Sequence, residues 1–312
     1  HPNFIRPESR RNEVLGFLTT QKLGDLSISR PKSRLSWGIE LPFDKGYVTY
    51  VWFDALVNYI SALEYLCPTP SRDQYWPANV HLVGKDILTT HAVYWSTMLM
   101  GLNLPLPETI FAHGWWTVNG EKMSKSRSNV VDPNRMVDEF GADAFRYFLL
   151  REVPFGQDGD FSERAMARRV NSDLANGIGN LLSRTLTMID RNCEGTIPDV
   201  PQDYLERESQ KYRLLLHARE QLLILGKSLD GFFEDLAFND LLRRITDQAT
   251  NVDIFIDEHE PWRLAKDPDK REELNAVLYT AAECLRILSL YIYPVMPNTA
   301  KNIAEQLGLD IN

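Results

Sequence analysis

The sequence predicts an α/β first half followed by an all-α second domain. Three observations lead there. Short runs rich in β-branched and aromatic residues alternate with helical patterns up to about residue 159. Strand signals nearly vanish from Asp160 onward, and long helical patterns separated by turn signals then follow. Strands alternating with helices imply a parallel sheet, whose ligands bind beyond the carboxyl ends of its strands.

Taken in order, residues 46–52 (GYVTYVW) read as a strand. Residues 54–66 carry Leu56, Tyr59, Ile60 and Leu63 at helical spacing on one face. His81-Leu82-Val83 is a short strand ending at Gly84, and residues 86–100 read as the helix after it. Ile110-Phe111-Ala112 is a further strand, ending at His113-Gly114. Asn119-Gly120 is a turn, and Asp132-Pro133 starts a helix with Asp as N-cap and Pro at the first helical position. Asp160-Phe161-Ser162-Glu163 has the form of a capping box with Asp in the Ser/Thr place, opening a helix that runs to about Asp190. Further helical patterns cover about 204–233, 236–256, 270–291 and 297–307, divided by Pro198 and Pro201, Gly231, Glu260-Pro261, Asp267-Pro268 and Tyr293-Pro294. An antiparallel bundle is the expected packing.

The 312 residues have room for two domains, and 44% hydrophobic with 25% charged residues is the balance of an ordinary globular protein. No apolar run approaches the roughly 18 residues that span a bilayer, so no membrane partner is expected. The 3 cysteines, Cys67, Cys193 and Cys284, form no Cys-x-x-Cys pair. That argues against a zinc site or a disulfide framework in this chain and fits a reducing compartment. A net charge of -9 argues against generic polyanion binding, although a local basic stripe suffices for nucleic acid. Candidate stripes are Lys122-Lys125-Arg127, Arg164-Arg168-Arg169 and Arg243-Arg244.

Several groups have chemistry and a bland alternative side by side. Lys122-Met123-Ser124-Lys125-Ser126 offers mobile positive charge and small hydroxyl donors just after a turn, as phosphoryl chemistry on a nucleotide requires, or it is a solvated basic turn. Trp52, Tyr59 and His91 lie after strand ends and form either a core cluster or an apolar pocket with polar handles, suited to a thioether. Gly84-Lys85-Asp86 allows close approach of backbone to a ligand and a carboxylate for ribose hydroxyls, or is a turn with Asp86 as N-cap; His113-Gly114 is similarly open. Asn180 and Arg184 share one helix face, either solvated or reading nucleic acid, opposite a buried stripe of Met166, Val170, Leu174, Ile178, Leu181 and Leu182. Pro261-Trp262 presents an indole for base stacking or anchors a helix junction.

In this order the residues resemble the methionyl-tRNA synthetase family of class I aminoacyl-tRNA synthetases. The resemblance rests on Leu26-Ser27-Ile28-Ser29-Arg30, Ser36-Trp37-Gly38-Ile39, Tyr50-Val51-Trp52-Phe53-Asp54-Ala55-Leu56, Val83-Gly84-Lys85-Asp86-Ile87, His113-Gly114-Trp115 and Lys122 to Ser126. It continues through Val170-Asn171-Ser172-Asp173-Leu174, Asn180 to Arg184 and Glu260-Pro261-Trp262. The lysine motif by itself says class I synthetase; the other stretches point to the methionine enzyme.

The resemblance implies the end of a connective-peptide insertion over 1–30, the second half of a Rossmann-type catalytic domain with its lysine loop over 31–159, and an α-helical anticodon-binding domain over 160–312. It implies that Trp52, Ala55, Leu56, Tyr59, Ile87 and His91 line a methionine pocket, with Leu56 standing where many relatives have Pro. Gly84, Asp86, His113, Gly114 and the loop residues Lys122, Met123, Ser124, Lys125 and Ser126 then hold ATP, with Mg2+ on its phosphates, and Lys122 and Lys125 are catalytic. Asn180, Arg184, Pro261 and Trp262 recognise the CAU anticodon of tRNA(Met).

The family's His-Ile-Gly-His type signature is absent from these residues, and the opening His1-Pro2-Asn3-Phe4-Ile5 is neither an initiator methionine, a secretory signal nor a tag. The chain is therefore expected to be the latter part of such an enzyme, to need the N-terminal half as a partner, and to be inactive in adenylation without it. A cytoplasmic location is expected, with an organellar one left open by the start of the chain. Two rivals stand beside this reading: a non-catalytic RNA-binding module, and a class I synthetase for leucine or valine.

Overall fold

The computed structural model describes residues 1–20, 22–66, 74–124, 126, 128–200 and 210–309, and of 210–216 the backbone alone. These form two compact units, His1–Trp115 and Trp116–Asn312. No described helix is long and apolar enough to cross a membrane.

The first unit is built on a parallel sheet of β1 (Ile5–Arg6), β4 (Val80–Gly84) and β5 (Thr109–His113), in the order β1-β5-β4. Residues 1–30 thus include a strand of this sheet, followed by the helix Glu8–Thr20. Alternate residues of β4 turn inward, His81 and Val83 being buried while Val80 and Leu82 are exposed, as a strand period of two dictates. Val83, Leu88, Ile110 and Ala112 share one small core with Ile5 and Val14. A second core gathers Leu56, Ile60, Trp76, Trp95 and Leu99. Beside them, β2 (Ser29–Pro31) and β3 (Tyr47–Thr49) pair antiparallel.

Three expectations for this unit are corrected. The strand expected over 46–52 ends at Thr49, and Trp52 lies in the first turn of the helix Val51–Ala55. Tyr50 is the last extended residue, and its carbonyl accepts the Phe53 N–H at 2.9 Å, starting the helix despite the β-branched run before it. The helix expected over 54–66 is broken into Val51–Ala55 and Asn58–Leu66. The helix expected over 86–100 begins as a 3₁₀ turn, Lys85–Ile87, widens to a π-helical stretch, Thr90–Trp95, and ends as Ser96–Gly101.

The second unit opens with a small sheet of β6 (Trp116–Val118), β7 (Glu121–Lys122) and β8 (Gly159–Phe161), in the order β7-β6-β8. Asn119 and Gly120 both have positive φ, 54° and 73°, which is the type I′ hairpin geometry that Asn-Gly favours. Asp132 caps the helix Pro133–Phe140 by accepting the Asn134 N–H at 2.9 Å, as expected. The expected capping box is displaced. Ser162 is the N-cap of Glu163–Arg169, accepting the Ala165 N–H at 3.1 Å, and the Asp160 carboxylate is engaged elsewhere.

The helix from Glu163 continues through a π-helical stretch, Val170–Gly179, into Asn180–Cys193. A Cβ on Gly179 would lie 3.0 Å from the Leu174 carbonyl oxygen, so the wide turn is built where a side chain is missing. The helix expected over 204–233 is described from Gln210 to Gly226 and again over Leu229–Glu234, its first residues lying outside the described ones. Phe238–His259 and Arg271–Ile292 pack with these helices around one core. Arg271–Ile292 is its centre, buried on most sides through Leu274, Val277, Leu278, Ala281, Leu285 and Leu288. The stripe expected on the long helix is inward, with Met166, Ile178, Leu181 and Leu182 buried.

Gly159 stands opposite Trp116 in the β6–β8 ladder, and a Cβ on it would lie 2.7 Å from the indole. Gly159→Ala is therefore expected to destabilise the protein by ~1–3 kcal/mol through overpacking. A lowered denaturant midpoint with an unchanged m-value checks this.

Candidate functional site

Parallel pairing sets Gly84 directly beside His113, so the carboxyl ends of β4 and β5 open at one level. Asp86 folds back over this edge: its Oδ1 accepts from Trp115 Nε1 at 3.2 Å and would lie 2.7 Å from any Cβ on Gly84. Lys85 Nζ sits 4.2 Å from the centre of the Trp115 ring, a cation–π contact. His113 Nδ1 donates to the Gly114 carbonyl at 2.8 Å, which fixes the ring's orientation. The four nucleotide-site residues expected in this unit, Gly84, Asp86, His113 and Gly114, are therefore brought together. Lys85 and Trp115 complete the edge and were not among the expected site residues, although both lie inside the motifs.

Deeper in the same unit, Trp52, Tyr59 and His91 meet. Tyr59 Oη lies 2.8 Å from His91 Nε2, and His91 Nδ1 lies 2.9 Å from the Ile87 carbonyl oxygen. A carbonyl only accepts, so Nδ1 carries the hydrogen of the neutral ring and Tyr59 donates to Nε2. Trp52 meets His91 edge-on at 6.3 Å between ring centroids. Burial holds His91 below the usual histidine range against the pull of the Ile87 carbonyl, and burial raises the Tyr59 phenol.

His81, a strand residue that the motifs do not mark, is the cluster's other centre. Its ring stacks on Tyr59 at 4.3 Å, and its Nε2 accepts from Trp95 Nε1 at 3.1 Å. Burial, with the neighbouring His91, pushes its pKa down to about 4. The inward register of β4 is the signal that could have found it.

A cavity of about 690 Å³ adjoins this cluster, with Trp52, Leu56, Phe53, Tyr94 and Met98 on its wall. Of the six residues expected around a thioether, Trp52 and Leu56 face that cavity and Tyr59, Ile87 and His91 form the hydrogen-bonded network. Ala55 is exposed on its short helix.

The lysine loop leaves the β6–β7 hairpin of the second unit. Lys122 ends β7, and Met123 packs against a core of Met136, Phe148, Phe161 and Met166. Asn129 closes the loop from the far side: its Oδ1 accepts the Ser124 N–H at 2.8 Å and its Nδ2 donates to the Lys122 carbonyl at 3.3 Å. Ser124 and Ser126 are linked through their hydroxyls at 2.8 Å. Lys125 and Arg127 lie outside the described residues.

At one end of the bundle, Arg184 reaches across to the helix Phe238–His259, donating to Asp253 at 2.8 Å and to Asp257 at 2.6 Å. That helix ends at Glu260 in a left-handed conformation, after which Pro261 is buried and Trp262 is 43% exposed. Asn180 is exposed one turn before Arg184. One of the expected basic stripes, Arg243-Arg244, is fully ion-paired, and a second is paired only in part. Arg243 and Arg244 both pair with Asp240, and Arg169 pairs with Glu152 and Asp173, whereas Arg164 and Arg168 are exposed.

Residues 2–186 match the family model described as tRNA synthetases class I (M). The chain belongs to that family. Among curated relatives of this synthetase chain, the methionine–tRNA ligase of Caldanaerobacter subterraneus subsp. tengcongensis is 49% identical over 310 residues, 99% of this chain and 47% of the relative. That of Rickettsia conorii is 43% identical over 314 residues, covering 59% of the relative. The synthetase chain thus spans about half the length of the curated relatives it matches. Among solved structures, Mycobacterium tuberculosis methionyl-tRNA synthetase in complex with methionyl-adenylate superposes with a TM-score of 0.88 at 40% identity, covering 99% of this chain and 59% of that one. The fold is therefore that of a class I synthetase, a parallel α/β sheet with a helical C-terminal region.

His81 gives the synthetase chain a pH-dependent stability of definite sign. Its folded pKa, about 4, lies below the ordinary value of 6.5, so the unfolded chain takes up the proton first as pH falls. This contribution is complete above pH ~6.5 and is lost progressively toward pH ~4. Unfolding midpoints measured across that window are expected to fall less steeply in His81→Phe than in the parent.

Proposed function

We propose that the protein carrying this chain is a methionine–tRNA ligase: it activates L-methionine with ATP to methionyl-adenylate and transfers the methionyl group to tRNA(Met). The observation that carries the reading is the shared strand edge, where a Cβ on Gly84 would meet the Asp86 carboxylate at 2.7 Å and Asp86, His113 and Gly114 stand together. That edge suits a nucleoside, with glycine backbone approached closely and a carboxylate for ribose hydroxyls. The names of the curated relatives and the methionyl-adenylate held by the solved one support the substrate.

In this reading Trp52, Ala55, Leu56, Tyr59, Ile87 and His91 receive the methionine side chain. The Tyr59 hydroxyl hydrogen is committed to His91 and the His91 hydrogen to Ile87, so this pair offers the thioether aromatic faces rather than donors. The methionine carboxylate attacks the α-phosphorus of ATP, the bond to the bridging oxygen breaks, and pyrophosphate leaves; Mg2+, where bound to the nucleotide, would offset the phosphate charge. Lys122 and Lys125, with Met123, Ser124 and Ser126, receive the phosphates, and the two ammonium groups stabilise the charge that develops in that step.

Asn180, Arg184, Pro261 and Trp262 recognise the anticodon. Arg184 together with Asp253 and Asp257 carries a net negative charge, which favours neutral base edges over phosphate. Residues 31–159 act as the catalytic part, 160–312 as the anticodon-binding part and 1–30 as the end of the insertion. The activity belongs with translation in the cytoplasm, and the reading assigns no zinc site to this chain.

Lys125→Ala, made in the protein that carries this chain, is expected to slow methionine-dependent pyrophosphate exchange by about 100-fold or more at unchanged methionine KM, as loss of a transition-state contact requires. A change confined to KM would refute that role. Trp262→Ala is expected to weaken tRNA(Met) binding by about 10-fold, the size of one lost base stack, and to leave exchange intact. Residues 1–312 by themselves are expected to give no exchange above background, and substituting leucine for methionine in the complete assay tests the substrate.

A further inference from the structure

The hairpin that delivers Lys122 is held by a residue to which the proposed reaction gives no role. A two-residue type I′ turn joins its strands but leaves a turn N–H without a ladder partner. Asp160, on β8 beside β6, meets that need: its Oδ1 accepts the Gly120 N–H at 2.8 Å and the Thr117 hydroxyl at 2.7 Å. The Thr117 hydroxyl also lies 3.2 Å from the Gly159 carbonyl, and the turn and β6 both bond to the one carboxylate on β8. The Gly120 N–H, and then the Thr117 hydroxyl, hold the Asp160 carboxyl below the usual carboxylate range. Both contacts are therefore made to a charged acceptor, the stronger kind of hydrogen bond.

We propose that Asp160 is a positioning residue of the lysine loop: by tying the Asn119-Gly120 turn and Thr117 to β8, it sets the direction in which β7 carries Lys122 out of the sheet. Asp160 acts through the hairpin and touches no reacting group. Asn129 holds the loop's other side through Ser124 and the Lys122 carbonyl, so Lys122 is fixed between two side-chain anchors. The inference rests on the reading that Lys122 serves the activation step. A turn that merely had to close would not require the anchor to be charged or to reach across from β8, because Asn-Gly closes hairpins unaided.

The test uses Asp160→Ala, Asp160→Asn, Thr117→Val, the Asp160→Ala/Thr117→Val double variant and Lys122→Ala in the protein that carries this chain. Each is read by methionine-dependent pyrophosphate exchange and by denaturant midpoint. Asp160→Ala is expected to lower kcat about 10-fold or more at unchanged methionine KM, the fold-change that losing hydrogen bonds to a charged group brings. Asp160→Asn, which keeps an acceptor oxygen, should recover part of that loss. Adding Thr117→Val to Asp160→Ala should cost little more, since both remove one shared contact. Full kcat in Asp160→Ala beside a depressed Lys122→Ala would overturn this inference alone. A loss in Asp160→Ala that merely tracks the unfolded fraction, with no recovery in Asp160→Asn, would overturn it as well. Full exchange in Lys122→Ala would remove both it and the reading beneath it.

Discussion

Parallel pairing of β4 with β5 sets Gly84 beside His113, and the same register sends His81, three residues earlier, into the core. One strand therefore feeds two kinds of chemistry. Its end presents backbone and a carboxylate at the sheet's edge, where a nucleoside can approach. Its middle plants an imidazole under Tyr59. A slip of one residue would exchange buried and exposed faces along the strand, turning His81 outward and Leu82 inward. The edge and the aromatic cluster are thus coupled by register.

Within that cluster the hydrogens are allotted inward. Trp95 donates to His81, Tyr59 donates to His91, and His91 donates to the Ile87 carbonyl. Protonating His81 at Nε2 would set two donors against each other at 3.1 Å, which adds to burial as a reason for the ring to stay neutral. The Tyr59 and His91 rings are therefore neutral with their hydrogens committed, beside a cavity whose wall carries Trp52, Leu56 and Met98 together with Lys22 and Asp25. Against the Tyr59–His91 pair itself a polar side chain would lose water and find no free donor, whereas a flexible thioether needs none.

Sequence patterning revealed the parts of the fold whose causes are local. Asp132-Pro133 starts its helix as local capping rules require, and Asn119-Gly120 forms the hairpin turn its residues favour. The parallel strands end at Gly84 and His113, so the strand edge proposed to hold the nucleotide was legible from the strand-end motifs. What stayed hidden depends on groups distant in the chain. Asp160 matched a capping pattern, yet its carboxylate serves residues 40 and 43 positions earlier and Ser162 caps instead. Trp52 sat in a run of strand-favouring residues, but helical bonding begins at Tyr50. His81 became visible as a site neighbour only once β4 had exact bounds and an inward face.

Arg184 shows how such distant partners change the meaning of a motif. As a sequence feature it is one positive charge on a helix face beside Asn180. In the fold its guanidinium is held by carboxylates 69 and 73 residues away. Two of its five N–H groups are spent on Asp253 and Asp257, and the planar fork keeps the others in a set direction. An arginine so held gives up little further side-chain freedom when it meets a base, whereas a free one would pay for ordering at that moment. The surplus negative charge beside it also weakens any attraction to phosphate, so what remains favourable is a directional contact with a neutral acceptor on a base edge. In the proposed role, then, the two aspartates are as much a part of base recognition as the arginine they restrain.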